Sequence, residues 1–298
     1  MRKIGYIVIA VLFAACGTSS FETESGVTVT YLKKGNGDQP VDSLVSMFII
    51  KSTTEDGKVV MDNADPIPLK IDPTNAQDQG ELFQILPLLK TGDSVSFDLA
   101  ASEFFQKTFR APLPDSIAPE SKINFQVKYV DQLTEEGYFD MVAKKAEEAA
   151  SKQIVIDNQI IDDYLIENGI DAAKTESGLR FVMTEEGTGS KPTPGQQVSV
   201  NYTGWVLNGD YFDSSNKEVA MENGIYNERR EPYVPYSFPL GQGEVIKGWD
   251  EGIALLNEGG KARLYIPSTL GYGSSNRSAV IKANSILVFD VELVEVKD

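Results

Sequence analysis

Apolar and polar residues alternate with a period near two in eight runs of this chain, four in each half. Val27 to Leu32, Val45 to Ile50, Ser94 to Leu99 and Asn124 to Val130 are rich in β-branched or aromatic residues with partial alternation, which predicts strands half-buried against a core. Leu179 to Met183, Val198 to Trp205, Lys261 to Ile266 and Ile286 to Val296 repeat the pattern. In each half a short stretch of helical periodicity precedes a glycine turn, Gly80 to Leu89 and Lys247 to Leu256. An antiparallel sheet with one short helix against it is an α+β arrangement.

Between the halves the period changes. Thr134 can cap a helix whose first turn holds Glu135 and Glu136, which favours the helix dipole. Met141, Val142, Ala146, Ala149 and Ala150 follow at helical spacing, with Lys144, Lys145, Glu147 and Glu148 on other faces. Asp157 is expected to cap a second helix with Ile160, Ile161, Tyr164 and Leu165 as its apolar face, and Gly169 suits its C-terminal stop. A helical spacer packed on one domain is preferred to a dimerisation arm, because the apolar stripe is short and without heptads.

The two strand-rich halves are related in sequence. ESGVTVTYLKKGNGDQP starts at Glu24 and ESGLRFVMTEEGTGSKP at Glu176. Gly26, Gly35, Gly37 and Pro40 match Gly178, Gly187, Gly189 and Pro192 in one frame. Val45-Ser46 then matches Val198-Ser199 one position further on, Gly92 matches Gly259, and Phe125 matches Phe289. A frame kept over so many positions, with loop-sized jumps, is the mark of a duplication.

The first fifteen residues read as an export signal: Arg2 and Lys3, then an apolar run from Ile4 to Ala15 broken only by Gly5. Such a run is too short to span about 30 Å of hydrocarbon as a helix. Phe13-Ala14-Ala15-Cys16 resembles a bacterial lipobox, in which the cysteine becomes the N-terminal, lipid-modified residue. Phe13 departs from the usual leucine. The resemblance implies lipid attachment at Cys16, and the small polar residues that follow are expected to form a tether over 16–25. Gly17 lacks the aspartate that retains some lipoproteins at the inner membrane, so the outer membrane facing the periplasm is expected by analogy.

Composition removes most catalytic chemistry. Histidine is absent and Cys16 is the single cysteine among 298 residues. A Ser-His-Asp triad, a Cys-His dyad, His-ligated metal and an intramolecular disulfide are therefore excluded. A formal net charge of −17 argues against a nucleic-acid partner, whose phosphates are held by cationic side chains. No cofactor is expected. Gly187-Thr-Gly-Ser-Lys191 superficially resembles a phosphate loop, but it lacks the Walker spacing and Pro192 follows the lysine.

The specific signal lies in the second half. VSVNYTGWVLNGDYFDSS (from Val198), YSFPLGQGEVIKGWDEGIALLNEGGKARLYIP (from Tyr236), GYG (Gly271 to Gly273) and LVFDVELVEV (from Leu287) resemble the FKBP-type peptidyl-prolyl cis-trans isomerases. The likeness covers about 120 residues, from Gly178 to Val296. It implies an isomerase domain at 175–298; the duplication extends this to a second, degenerate FKBP-like domain at 26–133, the two joined by a helical linker at 134–174. In that family a half-wrapped sheet and a short helix enclose an aromatic pocket for a proline ring. The resemblance makes Trp249 the floor, with Tyr202, Phe212, Tyr236, Val245, Ile246, Ile281 and Phe289 as walls. Asp213 and the Tyr272 hydroxyl become the polar rim, and the Ile246 N–H the group that holds the substrate chain.

The implied reaction suits this inventory. Rotation about an Xaa-Pro bond faces a barrier of roughly 20 kcal/mol, yet makes and breaks no bond and needs no nucleophile, metal or base. Expected partners are proline-containing unfolded or exported polypeptides and the family's macrolide inhibitors, with the membrane reached only through the lipid. The chain departs from the family at Ser274 to Ala279, where many members carry a His-Pro-Gly-rich loop, and at Lys217 to Val234, which is longer than usual. With Met221, Ile225, Tyr226 and Tyr233 among acidic residues, that insertion is expected to act as a lid or client-binding flap. In the first half the site groups are lost: aligned on glycines, Ile49 stands at the Tyr202 position, Leu82 at Trp249, Phe105 at Tyr272, and Val60 or Met61 near Phe212-Asp213. Two other readings remain open, a holdase chaperone on the same scaffold and a structural or adhesive lipoprotein.

Overall fold

The computed structural model describes residues 19–71 and 79–297. The export signal and Cys16 lie outside the described residues. The chain divides into two compact units between Ala143 and Lys144. Among the described residues no helix is long and apolar enough to cross a membrane.

The first unit holds β1 (Ser20–Glu22), β2 (Thr28–Lys33), β3 (Val45–Thr54), β4 (Val59–Asp62), β5 (Ile67–Leu69), α1 (Glu81–Ile85), β6 (Ser94–Ala100), α2 (Ala101–Phe104) and β7 (Lys122–Leu133). Its strands form one antiparallel sheet in the order β1-β2-β6-β7-β3-β4, with β5 also on β3. Every expected strand is present. The expected tether is in part a strand: Ser20, Phe21 and Glu22 pair with Thr30, Val29 and Thr28. Phe21 is buried and anchors that strand to the core.

A single helix, α3 (Glu135–Glu167), follows. Thr134 caps it, its hydroxyl accepting from Gly137 N at 3.1 Å. It ends at Gly169, where φ is +64°. Ile170 N donates to Leu165 O and Gly169 N to Ile166 O, the paired bonds of a Schellman stop. The second N-cap expected at Asp157 does not exist. That carboxylate is mid-helix and fully buried, so the helix runs on through it and its polarity is used elsewhere.

The second unit contains β8 (Ala173–Lys174), β9 (Arg180–Glu185), β10 (Gln197–Val206), β11 (Tyr211–Ser214), α4 (Lys217–Glu222), β12 (Tyr236–Pro239), α5 (Lys247–Ile253), β13 (Lys261–Ile266) and β14 (Leu287–Lys297). The strand order is β8-β9-β13-β14-β10-β11, with β12 also on β10. This is the first sheet's order, strand for strand. One face packs on α5 through Leu264, Ile266, Phe289 and Val291. The opposite face, with Tyr265, Val288, Trp205 and Val182, packs on Ile161, Tyr164 and Leu165 of α3. Buried Arg180 ties that contact, reaching Asp162, Asn158 and the Gly178 carbonyl. The C-terminal half of the expected linker is thus a layer of the second unit, while Phe139, Val142, Ile156 and Ile160 stay exposed.

Equal topology lets the two sheets be matched by register. Phe125 opposes Ser52 as Phe289 opposes Gly204. Val127 opposes Ile50 as Val291 opposes Tyr202. Ile50, not Ile49, therefore stands at the Tyr202 position. The sequence match of Val45-Ser46 was one residue out of step, and one residue turns a side chain to the other face of a sheet. Ile50 is buried and Ile49 only half-buried. Met61 opposes Ser52 as Asp213 opposes Gly204, so Met61 takes the Asp213 position and Val60 that of Phe212.

Candidate functional site

In the second unit four aromatic rings surround Trp249 and a fifth joins through one of them. The Tyr202 ring meets the indole edge-on at 5.0 Å and the Phe289 ring at 5.2 Å. Phe238 lies at 5.9 Å and Tyr236 at 6.5 Å. Phe212 joins by an edge contact to Phe289 at 5.5 Å. Each group has a structural cause. Tyr202 and Phe289 are core-facing positions of the paired strands β10 and β14, whereas Trp249 enters from the first turn of α5, its backbone N–H donating to the Ile246 carbonyl. Buried Trp249 leaves its Nε1 donor without an acceptor, a costly state unless a bound group or water supplies one.

The strand beneath carries Gly204 because nothing larger fits. A Cβ there would lie 2.5 Å from the Phe289 ring and 2.7 Å from Phe212. In the first unit the matching residue is Ser52, tolerated because Val60 replaces the second ring.

A polar edge borders the aromatic cluster. The Tyr202 hydroxyl donates to Asp213 Oδ2 at 2.5 Å, and Arg230 Nη1 donates to the same oxygen at 3.2 Å. The guanidinium also lies 5.7 Å over the Tyr202 ring. Burial, reinforced by the neighbouring Asp213 carboxylate, pushes the Tyr202 phenol well above the usual tyrosine range, so it remains a donor at neutral pH. Arg230 escaped the sequence reading because it lies in the insertion. The only available signal was an arginine pair, Arg229-Arg230, among acidic neighbours and close in sequence to Asp213.

The remaining expected residues lie around this cluster. Val245, Ile246 and Tyr272 are partly buried against the same core, and Ile281 is buried in it. The turn that leads to Val245 and Ile246 is pinned by Asp250 of α5, which accepts from Gly241 N at 2.8 Å and Gly243 N at 3.2 Å. Ile281 N donates to the Ser278 hydroxyl, and its carbonyl accepts from Arg277 N and Ser278 N. The Arg277 guanidinium stacks on Tyr272 at 5.5 Å. Tyr236 is at the rim, 43% exposed.

The insertion holds α4 and a turn at Glu228–Arg230. Tyr226 and Tyr233 stack at 5.9 Å, Lys217 pairs with Glu231, and Tyr226 bonds Glu231. It leaves a cleft of about 710 Å³ against the outer face of the sheet, lined by Asn201, Thr203, Lys217, Tyr233, Arg263 and Asp290 among others. Among the described residues no cluster of three metal-ligating side chains occurs.

Residues 188–294 match the family described as FKBP-type peptidyl-prolyl cis-trans isomerase. An FK506-binding protein of Neisseria meningitidis serogroup B is 42% identical over 119 residues, which is 40% of this chain and 96% of that protein. The chain belongs to the FKBP-type peptidyl-prolyl cis-trans isomerase family. A longer relative from the same organism, the probable FKBP-type peptidyl-prolyl cis-trans isomerase FkpA, is 41% identical over 135 residues, 45% of this chain and 44% of that protein. A crystal structure of FkpA from Escherichia coli aligns with 55% of this chain and 74% of its own, at 30% identity and a TM-score of 0.38. The family match and the aromatic cluster fall on the same unit. The chain is thus a peptidyl-prolyl isomerase by family, and its second unit carries the resemblance.

Proposed function

We propose that the second unit isomerises Xaa-Pro bonds of exported polypeptides at the aromatic cluster around Trp249, with no covalent step. The convergence of Tyr202, Phe212, Trp249 and Phe289 beside the Tyr202-Asp213-Arg230 edge carries this reading. An apolar, ring-lined site with few polar groups suits a proline ring. Rotation passes through a twisted amide whose nitrogen has lost resonance and whose charge separation is smaller. An apolar surround therefore favours it over both planar forms, which is differential binding of the transition state. Ile246 N–H would hold the substrate backbone, Tyr236, Val245 and Ile281 would contact flanking residues, and Tyr272 would offer its hydroxyl. The same pocket would take the family's macrolide inhibitors.

The first unit would serve as a spacing or client-binding module. Ile50, Val60, Met61 and Leu82 stand where the second unit has Tyr202, Phe212, Asp213 and Trp249. Phe104, aligned with Gly271, is buried and lies 4.9 Å from the Phe125 ring. That ring flanks Phe125, and Met61 stands where the second unit has Asp213.

An envelope location follows from the leader and the lipobox-like stretch at Cys16, with the outer membrane preferred; Cys16→Ser should abolish incorporation of labelled palmitate, and retained label would reject the anchor. A holdase role is the second reading, favoured by exposed Met221, Val234 and Tyr236. One experiment separates the two. Exchange NMR on a Leu-Pro-Phe peptide with the full chain should show catalysis that falls roughly 10- to 100-fold in Trp249→Ala, the kinetic equivalent of losing a buried large side chain. Asp213→Ala should also lower it. Unchanged rates in both would reject the pocket, and aggregation suppression surviving both would favour the holdase.

A further inference from the structure

Asp157 is a fully buried carboxylate on α3, outside the aromatic cluster. Burying an ionisable group is costly unless hydrogen bonds replace its water, and here three do. Gln153 Nε2 donates to Oδ1 at 2.7 Å. Oδ2 accepts from the backbone N of Ser268 at 2.7 Å and from its hydroxyl at 2.6 Å. Ser268 is itself fully buried and opens the turn Ser268–Leu270 that follows β13. Its carbonyl accepts from Gly271 N at 2.9 Å and Gly273 N at 2.8 Å. Those two amides flank Tyr272.

The geometry points to Asp157 as a positioning residue for the isomerase site, acting through Ser268 on the Tyr272 turn. Every polar backbone group of Ser268 is committed, the N–H to α3 and the C=O to the residues on either side of Tyr272. One carboxylate therefore fixes the base of the loop, and Gly273 O passes the restraint on by accepting from Asn284 N at 2.7 Å. Glycines at 271 and 273 give the turn little stiffness of their own, so its position depends on this anchor. The helix that joins the two units is thereby part of the catalytic unit. This rests on the reading of Tyr272 as a site residue given above.

The test uses full-length chain, with exchange NMR for activity and hydrogen exchange of the Gly271 and Gly273 amides for the turn. Asp157→Ala should speed exchange at both amides and lower kcat/KM by about tenfold, the scale expected of a small misplacement. Asp157→Asn, which keeps an acceptor for Ser268, should restore most of both. Ser268→Ala, which keeps the backbone bond, is the milder variant should Asp157→Ala not fold. In a Tyr272→Ala background, removing Asp157 should cost less than a further twofold, which a merely structural role would not produce. Unchanged amide exchange, or full losses that simply multiply, would overturn the inference. Faster exchange with no rate change in Asp157→Ala, Tyr272→Ala or Trp249→Ala would leave the anchor standing and reject the pocket instead.

Discussion

Asp213 Oδ2 receives two donors of different kinds, the neutral Tyr202 hydroxyl and the charged Arg230 guanidinium. Tyr202 and Asp213 come from adjacent strands and are held by the sheet, but Arg230 arrives on the insertion. Its ion pair is half open, with side-chain exposures of 32% and 41%, so its direct energetic weight is modest. What it does is fix which way the carboxylate faces. Arg230→Ala should lower kcat/KM about two- to fivefold, corresponding to the ~0.5–1 kcal/mol of a partly exposed pair. On an Asp213→Ala background it should lower it no further. An equal loss in both backgrounds would show that Arg230 acts on substrate directly and not through the carboxylate. Tyr202, Asp213, Trp249 and Phe289 were legible in the sequence because each lies in a motif with few alternatives. Arg230 was not, since an insertion has no register to read. Aligning on glycines sets Ile49, not Ile50, at the Tyr202 position for the converse reason: glycines fix loops, while strand register is set by cross-strand bonds that a single sequence does not display.

Elements were easier to read than their partnerships. Period-two runs located the long strands to within a few residues, because a sheet buried on one face leaves that alternation in the chain. Strand β1 was missed because three residues carry too little pattern, and Phe21 alone marked it. Helix α3 was read as two pieces because aspartate is a common N-cap and Asp157 precedes a clean apolar face. The acid is instead spent on Ser268, a contact 111 positions away in sequence, and no local rule reports a bond of that span. The same applies to Tyr265 and Val288, whose side of the sheet packs on α3 through contacts more than a hundred positions apart in sequence. The helix covers that face only at the Tyr265–Val288 end of β13 and β14; further along, the same face carries Lys261, Arg263, Asp290 and Glu292.

Across the whole molecule the absence of histidine sets the response to pH. Unperturbed side chains other than histidine do not change charge between about pH 5 and 8, so stability and rate should be nearly flat there. The alkaline side differs. Burial raises the phenols of Tyr31 and Tyr129 in the first unit and of Tyr202 and Tyr265 in the second. A phenol whose folded pKa lies above its unfolded value, about 10, binds its proton more tightly when folded. Its contribution is fully present below the unfolded pKa and is lost as pH rises toward the folded one. Both units carry such groups, so both should weaken together. Each new phenolate would also add to a formal charge already at −17, and self-repulsion acts in the same direction. Thermal unfolding followed from pH 6 to 11.5 should give a level Tm to about pH 9.5 and a steady fall above 10. The share of tyrosinate absorbance near 295 nm that belongs to the buried tyrosines should appear with the loss of structure rather than before it. A fall beginning between pH 7 and 9 would mean that some group other than buried tyrosine controls the stability of this histidine-free chain.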